Sequence, residues 1–400
     1  MVTLISWALA SIAGLIGIPV AVLFVEVIAA LKTGRGKSVE LPGSEAAQRV
    51  AVIVPAHDES SGIIPTIADI RPQLNASDRL IVVADNCTDD TAAVAESAGA
   101  EVIVRNDLEK IGKGYALGYG ISHIGADPPA FVVFIDADCR IQQGAIEELK
   151  KVCSNLQKPV QACYLMKTPE NSPIDHSFSE FFFLLRNWVR PLGLRQLNCP
   201  VQLMGTGMIF PWNVIRSAPL ASGNLVEDLK LGLDLAEIGK APHFLPFVNV
   251  TSDFPVTTKG TDSQRQRWVQ GHIGMILKTL PRLLFTAIRD RNRDLLVLTL
   301  DLLVPPLSLL GLLIVGTLVI SFLAAVLGLA PTSLIIATAN LVVFASAIIL
   351  AWRNFGRDAL PVRVLVSIVP LIFGKFRLYG QMLLGRTAAH WVRTDRASLK

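Results

Sequence analysis

The chain has 400 residues, 51% of them hydrophobic and only 18% charged, with a formal net charge of +4 at pH 7 and a mean hydropathy of +0.48. This excludes a disordered chain, which needs low hydrophobicity and high net charge, and it is poorer in charge than an ordinary soluble protein, where about a quarter of residues are charged. The net charge is too small to call for nucleic-acid binding, and the length suits roughly two to three domains.

Leu4 to Leu31 is 28 residues with one charge, Glu26, and is followed by Lys32, Arg35 and Lys37. A bilayer span takes about 20 apolar residues, so residues 1–31 are expected to form an amino-terminal transmembrane helix. A cleaved signal peptide would be shorter, would carry its positive charge ahead of the apolar run, and would be followed by a small-residue cleavage site. Residues 32–48, with Thr33-Gly34-Arg35-Gly36-Lys37 and Leu41-Pro42-Gly43-Ser44, read as a polar linker.

From Arg49 the pattern changes. Arg49–Ala56, Leu80–Ala84, Glu101–Val104 and Phe131–Ile135 are short β-branched runs, separated by helix-compatible stretches at Ser61–Ile70, Thr91–Ala98 and Lys113–Ile124. Alternating strands and helices predict an α/β domain, a parallel sheet covered on both faces, with ligands collecting at the carboxyl ends of the strands. Those ends carry His57-Asp58-Glu59, Asp85-Asn86-Cys87-Thr88-Asp89-Asp90-Thr91 and Asp136-Ala137-Asp138. Thr88 and Asp89 suit helix N-caps equally well. Asp136 and Asp138 are harder to explain structurally, because two carboxylates two residues apart repel each other unless a cation lies near. Hard divalent ions take oxygen ligands, and Mg²⁺ commonly shares one or two carboxylates with substrate phosphates.

Further along, Phe178, Phe181, Leu185, Trp188 and Leu192 recur at steps of three and four beside Arg186, Arg190 and Arg195, which predicts an amphipathic helix lying under the bilayer. Glu227-Asp228 opens a helix expected over Leu229–Ile238, and Gln264-Arg265-Gln266-Arg267-Trp268 precedes a second amphipathic run through Ile273, Ile276, Leu277, Leu280 and Leu284. Taken alone, the first pair suits a helix dipole and the second run suits a solvated helix face. Leu302–Ala330 and Ser333–Trp352 are uncharged runs of 29 and 20 residues, separated by Pro331 and Thr332, and are expected to form a transmembrane hairpin. Arg282, Arg289, Arg291 and Arg293 before it, with Arg353 and Arg357 after it, place its open end in the cytoplasm by the positive-inside rule. Residues 32–300 are then expected on the cytoplasmic side of the inner membrane, where the five cysteines are expected as reduced thiols. Residues 354–400 are basic, with one short apolar run at Val364–Phe373, and are expected to be interfacial or re-entrant, with Lys375 and Arg377 reaching headgroups.

Residues 49–285 resemble the inverting family-2 glycosyltransferases of GT-A fold, and the spans resemble their membrane-embedded branch, which includes cellulose and hyaluronan synthases. Val54-Pro55-Ala56-His57-Asp58-Glu59 is similar to the family's nucleotide-binding turn, with His57 and Asp58 replacing an aromatic and an Asn. Ala84–Thr91 is similar to its D-D-G-S-T-D motif without the first Asp, which puts Asp85 where a uracil-binding carboxylate sits. Gly112-Lys113-Gly114 resembles the K-G element, Asp136-Ala137-Asp138 the metal motif, Glu227-Asp228 the E-D motif, and Gln264 to Trp268 the Q-x-x-R-W signature.

The resemblance implies a Rossmann-like mixed sheet with helices on both faces over residues 49–260, a Q-x-x-R-W segment and interfacial helix over 261–300, and the hairpin over 301–353. It implies transfer of a sugar from a nucleotide-diphosphate donor, expected to be a UDP-sugar, to a hydroxyl of a growing polysaccharide or lipid-linked glycan. A leaving diphosphate needs charge compensation, expected from Mg²⁺ or Mn²⁺ on Asp138 and Asp136, with Arg267 and Arg265 adding contacts to phosphate oxygens. A sugar hydroxyl must lose its proton as it attacks, a task assigned to Asp228. Glu227, Gln264, Arg267 and Trp268 complete the expected catalytic set. Pro55, His57, Glu59, Asp85, Lys113 and Asp136 are assigned to the nucleotide, and Gly205, Thr206 and Trp268 to the acceptor. One base without a second carboxylate nucleophile implies inversion. Transfer to a polyprenyl phosphate is the alternative chemistry, and a non-catalytic membrane scaffold is the alternative class. Three spans are too few for a polymer channel in one chain, so export or polymerisation partner proteins are also expected.

Overall fold

A computed structural model describes residues 2–32, 48–169, 174–255, 258–329 and 331–363. Nearly all of the linker expected over 32–48, and all of the tail beyond residue 363, lie outside the described residues.

The four expected strands are present: β1 (Val50–Ala56), β2 (Arg79–Asp85), β3 (Glu101–Arg105) and β4 (Phe131–Phe134). They are parallel and lie in the spatial order β3-β2-β1-β4. Strand β1 shows why the run is continuously apolar. Val50, Val52 and Val54 face the helix Ile63–Ile70 through Ile63, Ile67 and Ile70, whereas Ala51 and Ile53 face the helix Lys113–Ile124 through Ala116, Leu117 and Ile121. Both faces of the strand are therefore removed from water, and the period-2 alternation carries no polar phase.

Beyond β4 the sheet changes direction, so the parallel sheet expected from the residues becomes the mixed one implied by the resemblance. β7 (Met208–Pro211) pairs antiparallel with β4, and β6 (Val160–Lys167), β8 (His243–Asp253) and β5 (Arg140–Ile141) continue to the far edge. The sheet has eight strands, ordered β3-β2-β1-β4-β7-β6-β8-β5.

Three helices are long and apolar enough to cross a membrane, at Leu4–Leu31, Leu307–Val326 and Pro331–Gly356. The first packs along both of the others, and Asn340 Nδ2 donates to the Ala13 carbonyl at 2.8 Å. The first is seated on one continuous helical segment of the catalytic domain, Ile174–Leu184, a π-helical turn Leu185–Val189, and Arg190–Gln196, which the end of the third also meets. Val20, Leu23 and Val27 of the first helix pack there with Phe178, Phe181, Leu185 and Leu192, and Trp188 meets Phe355 edge-on with ring centroids 5.5 Å apart.

This segment corrects an expectation. Its arginines do not reach toward headgroups. Arg190 is 6% exposed and is held between Glu26 Oε2 at 2.6 Å and Asp301 Oδ1 at 2.5 Å. Hydrophobic period alone cannot tell an interfacial helix from a buried one; the two buried carboxylates decide it, because they require a cation. After the Q-x-x-R-W helix (Thr258–Lys278), the helix Leu280–Arg289 buries Leu283 and Ala287 and exposes Phe285 and Ile288 between Arg282 and Arg289, whereas of the run expected to form the apolar face, Ile273, Ile276, Leu280 and Leu284 are half-buried and Leu277 is exposed.

Candidate active site

A cleft of ≈ 250 Å³ opens at the carboxyl ends of β1, β2 and β4. Pro55, His57, Glu59, Asp85, Lys113, Asp136, Asp138, Gly205, Glu227, Asp228, Gln264, Arg267 and Trp268 all line it. The chain thus brings together every sequence-assigned residue except Thr206 and Arg265.

At one end, Asp85 closes β2. Its Oδ1 is 2.6 Å from Arg105 Nη1 and also accepts from Asn86 Nδ2 at 3.2 Å. Burial pushes the Asp85 carboxyl up, and Arg105 opposes the shift. The Nδ1–H of His57 donates to the Asp85 carbonyl at 2.7 Å, tying the β1 and β2 turns together. Asp58 is spent on that loop: its carboxylate accepts from the Thr88 and Asp89 backbone at 2.6 and 3.2 Å and from the Thr88 hydroxyl at 3.0 Å.

The centre is acidic. Asp136 and Asp138 follow β4, and Glu227 and Asp228 open the helix Glu227–Glu237, where backbone N–H groups favour negative charge. Lys113, the first residue of its helix, reaches into this group. Its Nζ lies 2.5 Å from Asp136 Oδ1 and 3.9 Å from Glu227 Oε1, and donates to the Gly205 carbonyl at 2.9 Å. Lys113, assigned to the nucleotide, is therefore also the internal cation of the acid cluster. Burial disfavours its charge, but Asp136, Glu227 and Asp228 outweigh that and hold it above the usual lysine range. Burial likewise raises Asp136, with Asp138 adding and Lys113 opposing, and pushes Glu227 up to about 7 despite Lys113.

Asp136, Asp138 and Cys139 offer ligand atoms within 4.8 Å of one another. Burial and the two neighbouring aspartates raise the Cys139 thiol well above its ordinary range, so it stays protonated and the usable ligands are the two carboxylates. Four carboxylates facing one lysine leave an excess of negative charge that a divalent cation would relieve, and oxygen donors are what Mg²⁺ and Mn²⁺ take.

Gly205 has φ +91°, and a Cβ there would lie 3.4 Å from both Asp228 Oδ2 and Lys113 Nζ, so its bare backbone is what lets the base and the lysine approach. Thr206 does not face the cleft. It is fully buried and its hydroxyl accepts from the Asp136 backbone N–H at 3.1 Å, so it positions the metal motif instead of touching an acceptor. Arg265 is likewise not in the cleft wall; it donates to Ser179 Oγ at 2.6 Å. Arg267 and Trp268 line the cleft, with Trp268 packed against Phe183 at a centroid distance of 5.7 Å.

Sequence reasoning missed four supports. Arg105 lies directly opposite Asp85 in the β2–β3 register, each one residue beyond the runs Leu80–Ala84 and Glu101–Val104 expected as strands. Gln161, fully buried, donates to the Thr206 carbonyl at 2.9 Å and accepts from Met204 N at 2.8 Å, bracing the Gly205 loop; a lone polar residue in a strand gave no such signal. Arg186 and Asn187 enter the cleft wall from the π turn, which no sequence periodicity announces.

A mixed sheet of this order with an Asp-x-Asp motif past its central strand defines a GT-A-fold transferase. The family described as "Glycosyltransferase like family 2" matches residues 47–271, more than half of the chain. The chain belongs to that family. Among curated proteins it is similar to glucosyl-3-phosphoglycerate synthase of Mycolicibacterium paratuberculosis (36% identical over 105 residues, 25% of this chain and 31% of that protein). It is also similar to the Mycobacterium tuberculosis enzyme of the same name (35% over 105 residues, 25% and 32%). The chain therefore spans about a third of the length of these relatives. Among solved structures, a mannosyltransferase from Pyrobaculum calidifontis in complex with GDP-Man and Mn²⁺ shares the fold over 88% of this chain and 97% of that one, with TM-score 0.55 and 17% identity. The M. tuberculosis synthase in complex with Mn²⁺, UDP-glucose and phosphoglyceric acid aligns over 54% of this chain and 77% of that one, with TM-score 0.38 and 24% identity.

Proposed function

We propose that the protein is a membrane-bound, inverting, metal-dependent glycosyltransferase of the branch that resembles cellulose and hyaluronan synthases. It moves a sugar from a nucleotide-diphosphate donor, with UDP as the carrier, to a hydroxyl of a growing polysaccharide or lipid-linked glycan. The observation that carries this reading is that Asp85, Asp138, Asp228 and Arg267, up to 182 positions apart in sequence, line one cleft.

Asp85 faces the cleft as an acceptor for a base N–H, and Arg267 offers a planar pair of donors to diphosphate oxygens. Asp136 and Asp138 would hold Mg²⁺ or Mn²⁺, which when bound supplies charge compensation to the departing diphosphate. Asp228 Oδ1 accepts from the Leu229 backbone N–H at 2.9 Å, while Oδ2 lies beside Gly205. Oδ2 is the atom to take the proton from the acceptor hydroxyl. The hydroxyl oxygen attacks the anomeric carbon as its bond to the diphosphate breaks on the opposite face, and a single displacement of this kind inverts the configuration. Trp268 offers an aromatic face for the acceptor sugar.

The three apolar helices are read as spans, with the catalytic domain on the cytoplasmic side of the inner membrane. Glu26 of the first span, Asp301 in the helix just ahead of the second, and Phe355 at the end of the third all meet the same helical segment, which supports this arrangement. Leu277, Phe285 and Ile288, flanked by Arg282 and Arg289, suit the headgroup boundary. A polymer would leave through an oligomer or partner proteins. The intact acid cluster argues against a non-catalytic scaffold.

The test presents detergent-purified protein with a panel of nucleotide sugars and Mg²⁺ or Mn²⁺. Nucleotide release by wild type should fall about 10²- to 10⁴-fold in Asp228→Asn, and comparably in Asp138→Ala. Equal turnover in both variants would refute the assigned roles.

A further inference from the structure

Arg186 and Asn187 are not used by the reaction as derived, yet both line the main cleft. Both also line an adjoining cavity of ≈ 30 Å³, whose wall includes Gln202, His272, Asp301 and Leu302. Asn187 is 4% exposed, and among the described residues its side chain makes no hydrogen bond. Arg186 likewise has no ion pair or hydrogen bond among the described residues, while Gln202 Oε1 is buried without a partner. The half-buried guanidinium and the buried amide thus present their donors to the cleft and its side cavity and not to a protein partner, and the π turn that carries them is the kind of irregularity that marks ligand sites.

The surrounding charges leave Arg186 free for an anion. Behind it, Asp301 is taken by Arg190 at 2.5 Å. In front, the cavity that Arg186 and Asn187 share is also lined by Met204 and Leu229, the chain neighbours of Gly205 and Asp228. The ring of His272, depressed to about 4 by burial and by Arg186, stays neutral and adds no second cation beside Arg186. Arg186 therefore stands on the base's side of the cleft, where the wall continues through the small cavity to Asp301 and Leu302 at the foot of the membrane hairpin. The donor's diphosphate is served elsewhere, by Arg267 and the Asp136–Asp138 pair.

We propose that Arg186 and Asn187 form an oxyanion subsite on the acceptor side of the cleft, so that the acceptor carries a phosphate or carboxylate close to the hydroxyl that receives the sugar. This rests on the transfer reaction proposed above. The guanidinium gives two parallel donors to such a group, and the Asn187 amide gives a third from the next residue. A neutral glycan end would leave all three unsatisfied.

The test uses the full chain in detergent, with sn-glycerol 3-phosphate as probe and glycerol as its uncharged control, in the presence of Mn²⁺ and with or without saturating UDP or GDP. Saturable binding of glycerol 3-phosphate, but not glycerol, is expected to persist when nucleotide is saturating. It should weaken about 10- to 100-fold in Arg186→Gln, recover in part in Arg186→Lys, and weaken in Asn187→Ala, with nucleotide affinity unchanged. Loss of nucleotide affinity in Arg186→Gln equal to the loss of probe affinity would assign Arg186 to the donor diphosphate and overturn the proposal. So would probe binding that nucleotide abolishes, probe binding unaffected by either substitution, or no saturable binding to wild type. Absence of any nucleotide binding, with probe binding intact, would instead fault the transfer reading, so the two failures are separable. Because the probe measurements on wild type need no variant, a misfolded Arg186→Gln does not remove the test.

Discussion

Replacing Arg190 by methionine should strongly destabilise the seat of the three apolar helices. The side chain spans the gap between Glu26 and Asp301 with contacts of 2.6 and 2.5 Å, and the three residues are 6%, 2% and 7% exposed respectively. Removing one member of a buried ionic group costs about 3–5 kcal/mol, because the charges left behind have neither water nor partner. Here two carboxylates are abandoned at once, so Arg190→Met is expected at the upper end of that range. Replacing all three residues with apolar ones (Glu26→Leu, Arg190→Met and Asp301→Leu) removes both the attraction and the desolvation penalty, and should return stability to within about 1 kcal/mol of wild type or above it. The assay is SDS titration of protein in maltoside micelles, followed by tryptophan fluorescence, with gel filtration to confirm a monodisperse start. Two results would refute the reasoning: Arg190→Met within about 1 kcal/mol of wild type, or a triple variant no more stable than the single one.

Gly193 lies so close to the first helix that an added Cβ would sit 1.9 Å from the Glu26 carbonyl oxygen. Gly193→Ala should therefore lose about 1–3 kcal/mol in the same titration, as overpacking does, and an unchanged midpoint would show that the helices slide apart freely. Gly205→Ala forces a left-handed backbone on a residue with a Cβ, worth about 1–2 kcal/mol, and crowds Asp228 Oδ2 and Lys113 Nζ. Nucleotide release should fall more than stability does, and an active, equally stable variant would contradict the geometry. Glu227 has a carboxyl raised from 4.5 to about 7, so the folded state holds its proton more tightly than the unfolded state. The stability it contributes is complete below pH about 4.5 and is lost as pH rises through 7, a difference of about 3 kcal/mol. In metal-free protein, Glu227→Gln should flatten that fall, gaining on wild type at pH 8 but not at pH 4.5; identical pH profiles would remove the effect.

The parallel half of the sheet was legible because burial on both faces leaves an unbroken apolar run, as in Val50–Ala56. The other half was not. β7 is four residues long, β6 carries the buried Gln161 and shifts register between Ala162 and Cys163, and β8 contains Pro246 within an irregular burial pattern. Asp136, Asp138 and Asp228 could be assigned because paired or helix-opening carboxylates point to particular chemistry. Lys113 was harder to place fully, since a lysine beside a glycine suits a phosphate as well as an acid cluster, and only the fold brings Glu227 toward it. Arg190 was misread for a related reason: its partners, Glu26 and Asp301, are 164 and 111 positions away.

The stretch from Ile174 to Gln196 is shared property. Phe183, Arg186 and Asn187 form part of the cleft wall, and within two turns Arg190 and Gly193 receive the first apolar helix at Glu26. An excised fragment spanning only residues 48–300 would strip Arg190 of both counter-ions and leave Phe178, Phe181, Leu185 and Leu192 facing solvent, so it should precipitate instead of yielding a working soluble enzyme. Exchanging the first apolar helix for an unrelated one should disturb the cleft as well, because a single segment lines the cleft and packs against that helix.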